Sequence, residues 1–375
     1  MADITIPADL LPTDGRFGSG PSKVRPEAVD ALAAVSRSYL GTSHRQATVR
    51  SVVGRARRGL HELFGLPDDY EVLLGNGGST VFWDAASFGL IEQRSQHVVI
   101  GEFSSKFAAV TKAAPHLGDP EVIDTKPGLV PNPNVANPDI DAYCFPHNET
   151  STGVMCEVVR PAGTTADEAL VLVDATSGAG GLRVDPNAFD VYYFAPQKCF
   201  AGDGGLWLAL CSPAAIARVA AISATKRWVP ASIDLATAVE QSRLDQTYNT
   251  PALSTIFLLA EQTEWMLANG GLEWCASRCD ASAATIYGWA DAHALAAPFV
   301  AEGARSHVTA TIDFDPSIDA LVLAKVLRAN GILDVDSYRK LGRNQLRVAL
   351  FPAIEPTDIA TLTRAIDYVI ERLVD

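Results

Sequence analysis

The chain has 375 residues, of which 48% are hydrophobic and 20% are charged. This composition excludes a disordered chain, is typical of a folded enzyme with a large core, and predicts two domains. The net charge of −14 disfavours nucleic acid and anionic membranes as partners.

The cysteines and the first residues indicate where the protein works. The six cysteines show no paired CxxC spacing, which predicts buried free thiols in a reducing compartment and no metal site. The first residues lack a basic segment followed by an apolar one, and no apolar run reaches membrane-spanning length. A cytoplasmic location is therefore expected.

The first half of the chain alternates short apolar runs with polar turns and helical patterns. Residues 1–14 are predicted to form an arm, a helix begins near Pro26, and a proline-rich connection covers 125–138. Buried strands are predicted at Glu71–Leu74, His97–Ile100, Asp141–Phe145, Ala169–Asp174, Val191–Ala195 and Leu206–Cys211. This order is typical of a mainly parallel α/β sheet, which binds ligands at the carboxyl ends of its strands.

A glycine-rich turn, residues 75–80, follows the first of these strands and precedes a helix. That arrangement presents free backbone N–H groups and a helix N-terminus to a phosphate. The turn lacks the lysine of a P-loop, and Thr80 replaces the third glycine of a dinucleotide motif. A nucleotide site is therefore disfavoured, whereas a phosphate site and a plain turn both stay open.

Lys198 lies between two apolar strands, and Asp174 ends the strand before them. A desolvated lysine has a lowered pKa and can form a Schiff base with an aldehyde, although an ordinary loop lysine is the alternative. A lysine for the aldehyde and a carboxylate for the ring nitrogen are what pyridoxal 5′-phosphate requires. The pair therefore predicts a pyridoxal-phosphate enzyme with Lys198 as its catalytic residue.

The second half becomes helical after Pro213 and ends in a separate module. The pattern there predicts a strand at Val308–Phe314, a helix at Asp319–Ala329, a strand at Gln345–Leu350 and a final helix from Thr357. We therefore predict a large domain over 15–262 and a small C-terminal α+β domain over 263–375.

Six short motifs, in order along nearly the whole chain, resemble those of the phosphoserine aminotransferases. These are fold-type I pyridoxal-phosphate enzymes of the class V group, and the resemblance is to their actinobacterial form. The motifs are Phe17-Gly-Ser-Gly-Pro, Ser43-His-Arg, Asn148-Glu-Thr, Ala195-Pro-Gln-Lys, Tyr248-Asn-Thr-Pro and Asn344-Gln-Leu-Arg. The resemblance implies a seven-stranded, mainly parallel sheet in the large domain.

The resemblance also implies roles for the cofactor site. Besides Lys198 and Asp174, the implied cofactor residues are Ser79, Thr80 and Gln197 at the phosphate, Phe103 over the ring, Thr150 at the phenolic oxygen, and Asn249 and Thr250 from a partner subunit. The site would then belong to a homodimer. Many members carry arginine where this chain has Thr80 and tryptophan where it has Phe103. The phosphate charge would then be met by neutral donors and the helix N-terminus, and the stacking surface over the ring would be smaller, so both changes put cofactor affinity in question.

For the substrates, the resemblance implies exchange of an amino group between O-phospho-L-serine and 2-oxoglutarate, giving 3-phosphohydroxypyruvate and L-glutamate. Arg347 would bind the α-carboxylate, because arginine pairs with carboxylates through two hydrogen bonds. His44 and Arg45, with Arg339 or Lys340 and Arg343, are candidates for the distal anion. Use of phosphorylated hydroxythreonine in pyridoxine synthesis stays open.

Besides the nucleotide-binding α/β protein that the glycine-rich turn disfavours, three other functions compete with this one. A class V transaminase of the serine or alanine–glyoxylate type would need no basic side-chain pocket. A cysteine desulfurase would need a reactive cysteine on a mobile loop, whereas Cys275 and Cys279 lie in a helical pattern. A catalytically silent binding relative is disfavoured by the intact Lys198 and Asp174.

Overall fold

The computed structural model describes residues 4–131 and 136–374. Residues 1–3 of the predicted arm, 132–135 of the predicted connection and residue 375 lie outside the described part. The strands in that part are β1 (Glu71–Gly77), β2 (Ser95–Val99), β3 (Glu121–Asp124), β4 (Ala142–Pro146), β5 (Asn148–Glu149), β6 (Val154–Met155), β7 (Leu170–Asp174), β8 (Val191–Phe194), β9 (Gly205–Cys211), β10 (Ala296–Pro298), β11 (Thr309–Phe314) and β12 (Gln345–Ala349).

The helices follow the predicted pattern closely. They are α1 (Pro26–Tyr39), α2 (Ala47–Leu63), α3 (Ser79–Gly89), α4 (Glu102–Ala113), α5 (Pro213–Ala224), α6 (Leu235–Arg243), α7 (Leu253–Ala268), α8 (Gly271–Ala292), α9 (Ala320–Ala329) and α10 (Pro356–Val374). Pro26, Pro213 and Pro356 each occupy the first helical position, where a missing N–H costs no hydrogen bond.

Seven strands form the large sheet in the order β1-β9-β8-β7-β4-β2-β3. Only β9 runs against its neighbours, β1 and β8, while the other pairs are parallel. The prediction of a mainly parallel, seven-stranded α/β sheet is therefore confirmed. Because six of the seven strands run in the same direction, their carboxyl ends lie at one edge of the sheet, where a ligand site can form.

Alternate side chains of the central strands pack on opposite faces of this sheet. Tyr192 and Phe194 of β8 belong to the hydrophobic cluster that includes α2 and α7, whereas Val191 and Tyr193 pack with α3 and α5. Both faces are thus covered by helices, and the central strands are buried throughout. This explains why they appear in the sequence as continuous apolar runs.

The C-terminal part has its own antiparallel sheet, in the order β10-β11-β12, packed with α8, α9 and α10. A smaller C-terminal α+β part is therefore confirmed. The proposed domain boundary at residue 262 falls within α7 and stays a prediction. From the N-terminal arm, Ile6 is buried in the same cluster, and its N–H donates to the Asn330 side chain over 2.8 Å.

Two properties of the described residues bear on function. Within residues 4–131 and 136–374, no helix is long and apolar enough to cross a bilayer. In the same ranges no group of three or more His, Cys, Asp or Glu side chains is placed to hold a metal ion. All six cysteines are buried free thiols, as predicted, and burial raises the pKa of each above its ordinary value.

Candidate active site

A cavity of about 180 Å³ lies at the edge of the large sheet where β1, β4, β7 and β8 end. The first turns of α3 and α4 supply the rest of its wall. The residues predicted to bind the cofactor that line this cavity are Ser79, Thr80, Phe103, Thr150, Asp174, Gln197 and Lys198. The fold therefore gathers onto one cavity residues that are far apart in the sequence.

Lys198 follows β8 and reaches into the cavity, where its Nζ donates a hydrogen bond to the carbonyl oxygen of Ser19. Burial, and then the positive charge of Arg347, lower the pKa of Lys198 to about 8. Gly20 has a φ of +132°, and a Cβ at that position would collide with the lysine Nζ. The Ser19–Gly20 turn thus holds a partly neutral amine in place.

Asp174 is the last residue of β7 and is buried at the floor of the cavity. Its Oδ1 accepts hydrogen bonds from the backbone N–H of Thr176 over 3.0 Å and from the Thr176 hydroxyl over 2.5 Å, and its Oδ2 accepts from Trp83 Nε1 over 3.1 Å. Burial raises the pKa of Asp174 above its ordinary value, while these donors oppose the rise. The carboxylate is therefore fixed in orientation on both oxygens.

The predicted glycine-rich turn over 75–80 is shorter in the structure, because Gly75 to Gly77 continue β1 and pair with β9. Only Gly78 separates β1 from α3, whose first residues are Ser79 and Thr80. The N–H groups of a first helical turn have no partner within the helix, and the helix dipole favours an anion there. Gln197, across the cavity, has a buried Oε1 without a hydrogen-bond partner among the described residues. The helix N-terminus, with the Gln197 amide N–H as a further donor across the cavity, forms a cup suited to a phosphate.

Phe103 lies in the first turn of α4, which is capped by the buried carboxylate of Glu149. Glu149 accepts hydrogen bonds from the backbone N–H groups of Phe103 and Ser104, over 3.1 and 2.9 Å, and from the Ser151 hydroxyl over 2.6 Å. Burial raises the pKa of Glu149, and these donors oppose that rise. The cap fixes the first turn of α4, from which Phe103 lines the cavity.

Arg347 does not line the cavity itself, but it extends from β12 to Thr150, which does, and its Nη1 donates to the Thr150 carbonyl oxygen over 3.3 Å. Its guanidinium carbon lies 5.4 Å from the centroid of the Tyr338 ring, a cation–π contact. Its Nε has no hydrogen-bond partner, and among the described residues no carboxylate forms a direct ion pair with it, although Asp336 stabilises its charge at longer range. A largely buried cation without a direct ion-pair partner is suited to binding an anion.

Four of the predicted site residues lie together away from this cavity. His44 and Arg45 lie beside the segment that carries Asn249 and Thr250. Arg45 Nη1 donates to Gln246 Oε1 over 2.7 Å, and Thr250 Oγ1 lies 3.3 Å from His44 Nδ1. Within one chain they form a separate polar cluster, which stays a proposal as a cofactor or substrate site.

The basic residues near the end of the chain differ in their partners. Lys340 pairs with Glu102 and Arg343 pairs with Asp313, whereas the exposed Arg339 has no ion-pair partner within residues 4–131 and 136–374. Of these candidates for the distal anion, the structure therefore leaves Arg339 with its charge least engaged.

Three residues of the site were missed in the sequence. Trp83 fits a core pattern on α3, yet its indole N–H holds Asp174. Thr176 follows Asp174 by two residues, a spacing at which a hydroxyl bonds back to the carboxylate. Tyr338, whose ring centroid is 5.8 Å from that of Phe103, gave no local signal at all.

The fold and the lysine–aspartate cavity define a pyridoxal-phosphate transferase, and comparison with known proteins gives the class. A class-V aminotransferase domain matches residues 16–334. The chain therefore belongs to the class-V aminotransferase family. The enzyme and cofactor predictions are confirmed at this level, because enzymes of this family depend on pyridoxal phosphate.

Within this family, the chain is similar over almost its whole length to proteins named phosphoserine aminotransferase. The chain is 59% identical over 371 residues to a protein of a Nocardioides species named phosphoserine aminotransferase, covering 99% of each chain. It is 58% identical over 369 residues to a protein of the same name from Rhodococcus jostii, covering 98% of each. These full-length matches confirm the resemblance found in the sequence motifs.

A solved structure supports the fold. A phosphoserine aminotransferase from Cytophaga hutchinsonii superposes with a TM-score of 0.85 at 24% identity, covering 95% of this chain and 99% of that chain. At this identity the likeness establishes the fold alone, and it does so over almost the whole chain.

Proposed function

We propose that this protein transfers the amino group between O-phospho-L-serine and 2-oxoglutarate, yielding 3-phosphohydroxypyruvate and L-glutamate in serine biosynthesis. The observation that carries the proposal is the full-length, 59% identity to a protein named phosphoserine aminotransferase. Arg347 supports it, because a buried cation near Lys198 suits the α-carboxylate that all these substrates share.

The residues of the cavity fit pyridoxal phosphate. Ser79, Thr80 and Gln197 would hold its phosphate, and Asp174 its ring nitrogen. Phe103 would cover the ring, and Thr150 would bond the phenolic oxygen. The side-chain amides of Gln197 and Asn148 also line the cavity. The N–H of the Gln197 amide could donate to the phosphate, and the buried Oδ1 of Asn148, which has no partner among the described residues, could accept from a donor on the ligand.

The bound cofactor would supply an electron sink for the bond that breaks at the substrate α-carbon. Lys198 would hold the cofactor through Nζ and then move a proton at the α-carbon, a task that suits an amine with a pKa of about 8. Asp174 would keep the ring nitrogen protonated. Arg347 would orient the substrate through its carboxylate.

We further propose that the active site is completed by a second copy of the chain. Asn249 and Thr250 do not line the cavity of their own chain, although the resemblance assigns them to the cofactor phosphate. The nearby side chain of Tyr248 is half exposed. Contribution of this segment to the other subunit's cup would reconcile the two observations.

This assembly predicts that cofactor retention depends on dimerisation. Asn249→Ala and Thr250→Ala should each raise the Kd for pyridoxal phosphate roughly tenfold, because each removes about one hydrogen bond to a charged group. Sedimentation measured together with bound cofactor tests this. An active protein that sediments as a monomer at assay concentration would contradict the shared site.

We also propose that His44 and Arg45 of the second subunit bind the distal anion. Arg339 is the further candidate for this role. Arg45 already has hydrogen-bond partners in Gln246 and the Tyr248 carbonyl, so it can be held in place while binding an additional anion. The cluster would have to accept both the phosphate of phosphoserine and the γ-carboxylate of glutamate.

The function is tested by a coupled assay that compares phosphoserine with serine, each with 2-oxoglutarate as acceptor. Arg45→Ala should lower kcat/KM for phosphoserine by about one to two decades and spare serine and alanine, because only the distal anion is lost. An equal fall for phosphoserine and serine would remove Arg45 from phosphate recognition. A wild-type enzyme that preferred serine or alanine would instead favour a transaminase of the alanine–glyoxylate type.

A further inference from the structure

We propose that Thr176 is a positioning residue that couples the phosphate cup to the acid at the ring nitrogen through the side chains of Ser79 and Asp174. The inference rests on the proposed function, since it takes pyridoxal phosphate as the ligand of the cavity. It concerns a residue to which neither the sequence motifs nor the resemblance gives a role.

The three side chains form one continuous hydrogen-bonded chain. The Oγ1 atom of Thr176 lies 2.6 Å from the Oγ of Ser79 and 2.5 Å from Oδ1 of Asp174. The backbone N–H of Thr176 donates to the same Oδ1 over 3.0 Å. Ser79 and Asp174 are both buried, while Thr176 is partly buried, and all three line the cavity.

Counting hydrogens fixes the direction of this chain. A threonine hydroxyl has one hydrogen to donate, and an ionised carboxylate can only accept. Thr176 must therefore donate to Asp174 and accept from Ser79. The single hydroxyl hydrogen of Ser79 is then used within the protein.

A phosphate in the cup would compete for that same hydrogen, because a charged acceptor makes the stronger hydrogen bond. If the Ser79 hydroxyl donated to the phosphate, Thr176 would keep its hydrogen bond to Asp174 but would no longer accept one from Ser79. A hydroxyl that no longer accepts a hydrogen bond is a weaker donor. Phosphate binding would thereby make Asp174 more basic, as its role at the ring nitrogen requires.

Other titratable groups near Asp174 do not contact the Thr176 hydroxyl, although the Tyr193 hydroxyl also opposes the rise that burial causes in the pKa of Asp174. They are Tyr192 and Tyr193 on β8, Lys198 beyond it, and His147 and Glu149 after β4. Burial raises the pKa of both tyrosines well above the ordinary value and lowers the pKa of His147 to about 4. Since the Thr176 hydroxyl bonds none of these groups, replacing it changes Asp174 selectively.

The test measures binding to the protein freed of cofactor. Thr176→Val removes the hydroxyl at nearly constant shape, and Thr176→Ser keeps it as the matched control. Pyridoxamine phosphate and pyridoxamine are the probes, because neither needs Lys198 to bind. Binding is followed by quenching of tryptophan fluorescence at acidic and neutral pH. Titration of the ligand itself is the same for every variant, so differences between variants report on the protein.

Thr176→Val should move the pH at which affinity is half lost upward by roughly one unit, because Asp174 loses a donor to its ionised form and its pKa rises. Thr176→Ser should keep the wild-type midpoint. Asp174→Asn should abolish this part of the pH dependence. If Thr176→Val kept the wild-type midpoint, the positioning role would be overturned; Thr176→Ala serves as the second variant should valine fail to fold.

A double-mutant cycle tests the coupling itself. Ser79→Ala should raise the midpoint for pyridoxamine, which carries no phosphate, when it is made in the wild-type background but not when it is combined with Thr176→Val. An equal rise in the two backgrounds, with and without the threonine hydroxyl, would overturn the coupling. A wild-type protein that bound neither probe would refute the proposed cofactor site instead, so the two failures are distinguishable.

Discussion

Replacing Lys198 with alanine is expected to abolish transamination and to remove the visible absorbance of the purified protein. The lysine is the one amine at the cavity lined by the described residues, and burial beside Arg347 leaves it partly neutral near neutral pH. Loss of a proton-transferring group alone costs on the order of 10²–10⁴-fold in rate. Loss of the covalent attachment of the cofactor adds to that cost.

The pH dependence of cofactor uptake provides a second readout. Only the neutral amine attacks an aldehyde, so the rate of reconstitution should rise with pH and level off above the lysine pKa of about 8. Lys198→Arg keeps the positive charge but should restore neither transamination nor the visible absorbance. Lys112→Ala, at an exposed position on α4, should match wild type in both. A Lys198→Ala protein that still turned over would contradict the assignment.

The large sheet could be predicted from the sequence because its central strands are buried on both faces. Burial on both faces demands apolar side chains at every position, which leaves a continuous run such as Val191–Phe194. The antiparallel direction of β9 could not be predicted from such a run, because the apolar pattern of a strand is the same in either direction. Most strand ends differ from the prediction by one or two residues, and β1 runs on three residues past the predicted end at Leu74, because hydrogen bonding, not hydropathy, sets where a strand ends.

The polar floor of the site was only partly predictable. Lys198 and Asp174 stand out because a charge next to a buried strand needs an explanation. Trp83 does not, because an indole serves equally well as core and as donor, and only the fold brings its N–H to Asp174. Tyr338 reaches Phe103 from a distant part of the chain, and no local pattern encodes such a contact.

For Arg45 the sequence predicts a role that the structure of one chain does not show. The motif predicts its role, yet in one chain it lies with Gln246 and not at the cavity. If the site is shared, the missing information is the symmetry of an assembly, which no single chain contains. The sequence can therefore indicate a functional residue whose function is not visible in the isolated fold.

Arg347→Ala is expected to lower kcat/KM by roughly 10²–10⁴-fold for phosphoserine, glutamate and alanine alike. A charge-assisted hydrogen bond is worth about 1.5–3 kcal/mol, or about one to two decades, and arginine can make two of them with a carboxylate. The losses should be equal because the α-carboxylate is common to all three substrates. Steady-state kinetics of both half-reactions, beside Arg372→Ala as an exposed control, measure this.

The same substitution should not destabilise the protein, and this separates a binding role from a structural one. Arg347 is largely buried, its Nε has no partner, and no carboxylate in the described ranges forms a direct ion pair with it. Asp336 acts on it only at longer range, so the folded state carries a desolvation cost that is only partly compensated. Arg347→Met, which keeps the apolar stem, should therefore equal or exceed wild type in Tm while losing activity like Arg347→Ala. A fall in Tm with unchanged kcat/KM would mean that Arg347 supports the Thr150 loop and that another cation binds the carboxylate.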